Sequence, residues 1–237
     1  MQQSTRRAVG IARAAVPTAA LGLGLLLMLV GSPAPLCAQV TPRATASAPA
    51  AESPVERALE SRAKGSADAG VVVFEIADFQ CPYCATFAAT VAPALDERYV
   101  EPGHVHWIFV NLPLHSHPLA WHAAEAALCA GAAGDQFWPM HDRLFEEQDE
   151  WGADSDPAAR FATYAADLGV PADPYAACTE GDQVASLILQ DLGSAISAGI
   201  TGTPTFIIMK GQEVVERMVG VQSILEWSQV LDNALGR

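Results

Sequence analysis

Residues 71–84 read Val-Val-Val-Phe-Glu-Ile-Ala-Asp-Phe-Gln-Cys-Pro-Tyr-Cys, and this stretch decides the fold. Val71 to Ile76 is a compact β-branched and aromatic run, the composition of a buried strand. It ends at Asp78-Phe79-Gln80, and from Cys81 to Tyr99 the residues Phe87, Val91 and Leu95 recur on one helical face. A second strand, His104 to Asn111, sets Val105, Trp107 and Phe109 against His104, His106 and Ile108. Strand, helix and strand in so short a span predict a βαβ unit.

Cys81 and Cys84 stand at the strand-to-helix junction of that unit. Two intervening residues let both sulfurs meet over the first helical turn, so the pair can close a small disulfide and reopen it. Pro82 falls at an early helical position, where its missing N–H costs nothing. Cys81 faces the unpaired N–H groups and positive dipole end of the helix, which favour thiolate over thiol. It is therefore the expected nucleophile, with Cys84 as the resolving thiol. The competing use of a Cys-x-x-Cys pair is half of a zinc site. That would need two further ligands, for which His115 and His117 are the only obvious pair, so no metal is expected.

Outward from this unit, residues 119–198 show helical spacing almost throughout, in segments Leu119 to Ala130, Phe137 to Gln148, Pro157 to Leu168, Pro174 to Thr179 and Gln183 to Ala198. Strand signals return at Thr205 to Met209 and Val214 to Val219, joined by a turn at Lys210-Gly211-Gln212. A last helix, Ser223 to Leu235, is expected to face Ile224, Trp227 and Leu231 inward. The class is α/β: one mixed central sheet whose βαβ and ββα halves are separated by an all-helical insertion at about 115–198.

Composition narrows the function. Of 237 residues 51% are hydrophobic and 17% charged, enough apolar material for a full core and too little charge for a disordered chain. The net charge is −14, although the only charges before Gln39 are Arg6, Arg7 and Arg13. So acidic a body repels phosphate backbones and anionic lipid, which argues against nucleic-acid binding.

Those arginines precede the apolar run Leu21 to Val30 and a small-residue exit at Cys37-Ala38-Gln39. This is the order of a secretory signal, and the run is half the roughly 20 residues of a spanning helix. Residues 1–38 are read as a signal peptide, with an uncleaved anchor, a twin-arginine signal and a lipoprotein as lesser alternatives. Residues 40–54 are rich in Ala, Pro, Ser and Thr, the makings of a flexible tether. The linker is placed at 39–67 and the folded domain at 68–237. Ordered structure is expected to begin with a short helix around Pro54 to Ala63, or only at Val71.

The chain resembles the DsbA-like thiol:disulfide oxidoreductases of the thioredoxin superfamily over about Val71 to Leu235. The likeness rests on VVVFEIADFQCPYC, on HPLAWHAAEAALCAGAAGDQFWPMHDRLFEEQ within the insertion, and on GITGTPTFII as the returning strand. It implies that the Thr203–Pro204 bond is cis and lies beside the active-site pair, where the backbone at Thr203 holds an extended substrate. From local sequence alone, Pro204 reads equally well as an ordinary strand-start proline. The resemblance also makes Glu75, six residues before Cys81, a buried acid that moves protons to or from Cys84; a solvent-facing strand residue is the competing reading. Pro82 and Tyr83 join Thr203 as substrate-contacting residues. The strongest oxidants of the family carry His where this chain has Tyr83, which implies a less extreme thiolate and a less oxidising pair.

Cys129 and Cys178 fall 49 residues apart in the helical block. Some family members carry a structural disulfide in this region, which implies that these two are joined; two buried free thiols are the alternative. The six histidines and Trp107, Trp121, Trp138 and Trp151 read as surface or packing residues, and residues 146–150 as a solvated acidic helix end.

The function implied is an exported, periplasmic enzyme that introduces disulfides into folding secreted proteins and is reoxidised by a quinone-linked membrane partner. No bound cofactor is needed, because the dithiol carries the electrons. A reductase or isomerase on the same fold is the rival, and a redox-inert peptide-binding chaperone the reading from another class.

Overall fold

The computed structural model describes residues 52–237, so the signal segment expected at 1–38 lies outside the described residues. At its centre is a five-stranded sheet in the order β1-β3-β2-β4-β5. The strands are β1 Ala63–Gly65, β2 Val71–Ala77, β3 Val105–Asn111, β4 Thr205–Lys210 and β5 Glu213–Val219. β2 and β3 run parallel and every other pairing is antiparallel. The predicted strands are all present, and β3 alternates buried and half-buried residues as its sequence requires.

Pro54–Ser61 is a helix, α1, as expected around Pro54 to Ala63, and β1 follows at once, which corrects the linker bound at residue 67. The reason is local and then tertiary. Ser53 and Glu56 form a reciprocal capping box, satisfying two backbone donors that a helix start leaves open. Arg62, at the end of α1, is buried and ion-paired to buried Asp191, whose Oδ2 also accepts from the Asn111 backbone and side-chain N–H groups at 3.0 Å each.

The helix expected from Cys81 to Tyr99 is broken into α2 Pro82–Thr90, α3 Ala92–Leu95 and a π-helical turn Asp96–Val100. Pro93 causes the break: it has no N–H for the Ala89 carbonyl and its ring crowds that oxygen. Phe87, Val91 and Leu95 are nevertheless all buried on one side. There they meet Trp107 and Phe206 from the sheet and Trp227 and Leu231 from the C-terminal helix. Ile224 departs from the inward face expected of that helix and is 40% exposed.

The insertion between β3 and β4 comprises α4 Ala120–Gly134, α5 Phe137–Glu146, α6 Gln148–Trp151, α7 Ala158–Asp167, α8 Ala172–Glu180 and α9 Ala185–Ser197. The final helix, Ile224–Leu235, is α10. α4 is alanine-rich and buried along most of its length, and a side chain at Gly131 would strike Ser61 of α1, so glycine there sets how closely the two helices approach. Cys129 of α4 and Cys178 of α8 form a disulfide inside the insertion.

Candidate active site

β2 delivers the chain to the site and α2 carries it away. Cys81 caps α2 in an extended conformation, its carbonyl accepting from the N–H groups of Cys84 at 3.1 Å and Ala85 at 3.2 Å. Pro82 takes the first helical position, and Tyr83 projects outward at 66% exposed. Both sulfurs are free thiols, Cys81 at 4% exposure and Cys84 fully buried.

The Thr203–Pro204 peptide is cis, and the Cys81 thiol lies 3.4 Å from the Thr203 carbonyl oxygen. The loop at the start of β4 is thus brought against the nucleophile from the far end of the sequence.

The two thiols are driven apart in acidity. Cys81 is lowered to about 5, chiefly by a hydrogen bond from the Cys84 side chain, with Thr203 and the backbone N–H groups of Cys84 and Tyr83 assisting. Cys84 is raised, first by burial and then by its bond to Cys81. One sulfur is therefore an anion at neutral pH and its neighbour is held protonated, the division that a nucleophile and a buried resolving thiol require.

Glu75 is 2% exposed, which corrects the solvent-facing alternative. Its Oε2 accepts from the Trp107 indole N–H at 2.8 Å, while Oε1 makes no hydrogen bond. Burial raises its pKa, partly offset by His141 and Trp107. It is a carboxyl that resists ionisation, seated under α2 in a cleft it shares with Ala85 and Ala88, the residues one position and one turn beyond Cys84.

The loop before Cys81 is clamped by side chains that sequence reasoning missed. The Asp78 carboxylate accepts from the Gln80 N–H at 2.7 Å and the Leu114 N–H at 2.8 Å, and pairs with His117 Nδ1 at 2.8 Å. His117, one of the two candidate zinc ligands, is thereby committed to a carboxylate. Gln148 at the start of α6 donates to the carbonyls of Phe79 at 2.7 Å and Cys81 at 3.1 Å. Its one available signal is that it is the single uncharged residue in the acidic run 146–150. Among the described residues no group of three or more His, Cys, Asp or Glu could hold a metal ion.

A family model described as Thioredoxin matches residues 57–233. The chain is 37% identical over 146 residues to the Na(+)/H(+) antiporter NhaA 3 of Salinispora tropica, a match covering 61% of this chain and 21% of that protein. It is 35% identical over 91 residues to the Probable disulfide bond formation protein D of Bacillus cereus, covering 37% of this chain and 42% of that one. The chain thus spans less than half the length of either relative. Among solved structures, oxidised BdbD from Bacillus subtilis superposes with a TM-score of 0.66 at 21% identity, covering 76% of this chain and 95% of that one.

Proposed function

The chain belongs to the thioredoxin family, and from that premise we propose that it is an exported protein thiol:disulfide oxidoreductase which passes its Cys81–Cys84 disulfide to the thiols of newly secreted proteins. The observation that carries this reading is the pairing of a Cys81 thiol lowered to about 5 with a Cys84 thiol raised by burial, across one helical turn and beside the Thr203 carbonyl.

Each step follows from that arrangement. A substrate thiolate attacks Cys81 Sγ; the Cys81–Cys84 bond breaks and a substrate–Cys81 mixed disulfide forms. Cys84 leaves as a thiolate, which its burial disfavours, and takes up a proton. A second substrate thiolate then attacks the substrate sulfur of the mixed disulfide, so that the substrate gains a disulfide and Cys81 leaves as the favoured anion. The substrate loses two electrons and the enzyme pair gains them. An extended substrate would lie along Thr203, with Pro82 and the exposed ring of Tyr83 on the opposite wall. A membrane partner passing the electrons to quinone would restore the Cys81–Cys84 disulfide, and the periplasm or cell envelope is the compartment in which such chemistry persists.

The test is the reduction potential of the pair, measured by equilibration with glutathione buffers. A value towards about −120 mV supports a dithiol oxidase, whereas one near about −270 mV would overturn that direction in favour of a reductase. The two differ by about 7 kcal/mol, so the outcomes do not overlap.

A further inference from the structure

Cys84 must gain a proton each time the enzyme disulfide is opened, and a buried Glu75 that supplies it would be left as a buried carboxylate. A second group therefore has to answer for that charge. The cleft beneath α2, about 510 Å³, holds one.

His141 of α5 lines this cleft together with Glu75 and Trp138. It is 3% exposed, its ring packed against Phe79, Phe109, Trp138 and Phe145 at centroid distances of 4.9–5.7 Å. An imidazole is a poor choice for an aromatic box, since a buried nitrogen without a partner costs about 1–3 kcal/mol. Its Nδ1 is occupied by Asp142 Oδ1 at 2.8 Å, while Nε2 makes no hydrogen bond within the protein, and neither does Glu75 Oε1. Two buried side chains that each carry an unpartnered atom thus line one cleft, whose lining also includes exposed Asp142 and Glu101.

The geometry points to His141 as the residue that returns a proton to Glu75 while Glu75 protonates Cys84, making the cleft the proton entrance of the site. This inference rests on the oxidoreductase reading above. With Asp142 facing Nδ1, Nε2 is the position left to take up and pass on a proton, the general acid–base role for which histidine is the commonest side chain. The imidazolium gives its Nε2 proton to Glu75 Oε1, directly or through cleft water. Glu75 gives a proton to the departing Cys84 thiolate, and solvent reprotonates Nε2 through the cleft mouth. One proton enters, one S–H bond forms, and the buried carboxyl finishes as it began. When the disulfide is re-formed the same path runs outward. His141 acts through Glu75 and does not touch the sulfurs. The titratable groups that line the cleft with it are Glu75 from β2, Lys64 from β1, Asp96 and Glu101 from the π-turn and its exit, and Asp142 and Glu146 from its own helix; α2 and α3 contribute only alanines and Pro93 to the lining.

The experiment is single-turnover reduction of the oxidised protein by dithiothreitol between pH 5 and 8, in the wild type, H141F, H141Q, E75Q and the E75Q/H141F pair. H141F fills the aromatic box without a proton site. H141Q keeps polarity but carries no proton, and serves if H141F does not fold. The expected loss in either His141 variant at pH 7 is about 100-fold, the lower end for a positioned proton donor. The loss should vanish in the E75Q background, and the Cys81 thiolate absorbance titration should not move. Wild-type rates in H141F or H141Q, or an equal further loss on top of E75Q, would overturn the inference while leaving the functional reading intact. A wild-type protein that exchanges with no protein thiol would take both down.

Discussion

Replacing Cys84 by alanine removes the group that does most to hold Cys81 as a thiolate. The Cys84 thiol donates to the Cys81 sulfur, and this bond contributes more than the Thr203 contact or the backbone N–H groups at the start of α2. A hydrogen bond to a charged acceptor is worth about 1.5–3 kcal/mol, and one pKa unit is about 1.36 kcal/mol, so its loss should raise Cys81 by about one to two units. The midpoint should therefore move from about 5 to about 6–7. The assay is the thiolate absorbance at 240 nm, titrated from pH 3 to 9 in the reduced protein. At pH 6 the wild type should be about nine-tenths ionised, whereas C84A should fall to about half or less. C84S, which retains an O–H donor of similar reach, should lie nearer the wild type than C84A does. A C84A midpoint still at about 5 would refute the reasoning and leave the helix terminus and Thr203 as the whole source of the acidity.

Three further outcomes are expected. Cys81 lies below its ordinary 9.0 in the folded, reduced protein, so its contribution to stability is complete above about pH 9 and is lost as pH falls through about 5. Because the oxidised protein has no such titration, the melting temperature of the reduced form relative to the oxidised form should drop between pH 8 and 5; a flat difference would count against the thiolate. The double variant C129A/C178A opens a cross-link spanning 49 residues and should lose about 4 kcal/mol, or about 8–16 °C in melting temperature, read by thermal unfolding. Gln148→Ala removes the Gln148 donor from the Phe79 carbonyl and one of three donors from the Cys81 carbonyl, and should cost about 1–3 kcal/mol in urea unfolding while loosening the nucleophile loop enough to speed amide exchange at Ala85.

What the sequence made legible is what is written locally. A β-branched run leading into Cys-Pro-Tyr-Cys specifies strand, cap and first helical turn together, so Cys81, Cys84 and Pro82 could be assigned roles from their neighbours alone. Pro204 and Glu75 needed the resemblance: a proline before a strand is ordinary, and a single acid in a strand can face either way until the helix above it is placed. The clamps were out of reach. Gln148 reaches the Cys81 carbonyl across 67 positions and His117 reaches Asp78 across 39, and no periodicity encodes such meetings. His141 looked like packing, and it does pack; only its unpartnered Nε2, in a cleft it shares with Glu75 and its unpartnered Oε1, sets it apart. The linker bound is of another kind. The helix around Pro54 to Ala63 was legible, but β1, Ala63–Gly65, has three residues and no alternating pattern, so nothing local marks it as a strand.

The three residues of β1 carry a consequence for self-association. β1 occupies the outer side of β3, pairing Lys64 with Trp107 and Gly65 with His106. Among the described residues no further strand covers the opposite rim, β5, but it sets exposed Glu213, Glu216 and Arg217 among its valines and is thrown out of register at Ile208/Met209. Charge and a bulge are the usual deterrents to zippering between copies. A protein shortened to begin at residue 68 would keep its dithiol and its deterred rim, yet strip the other one bare. β3 would then offer a ladder of unpaired amides flanked by Trp107, and aggregation rather than loss of redox chemistry would be the first symptom.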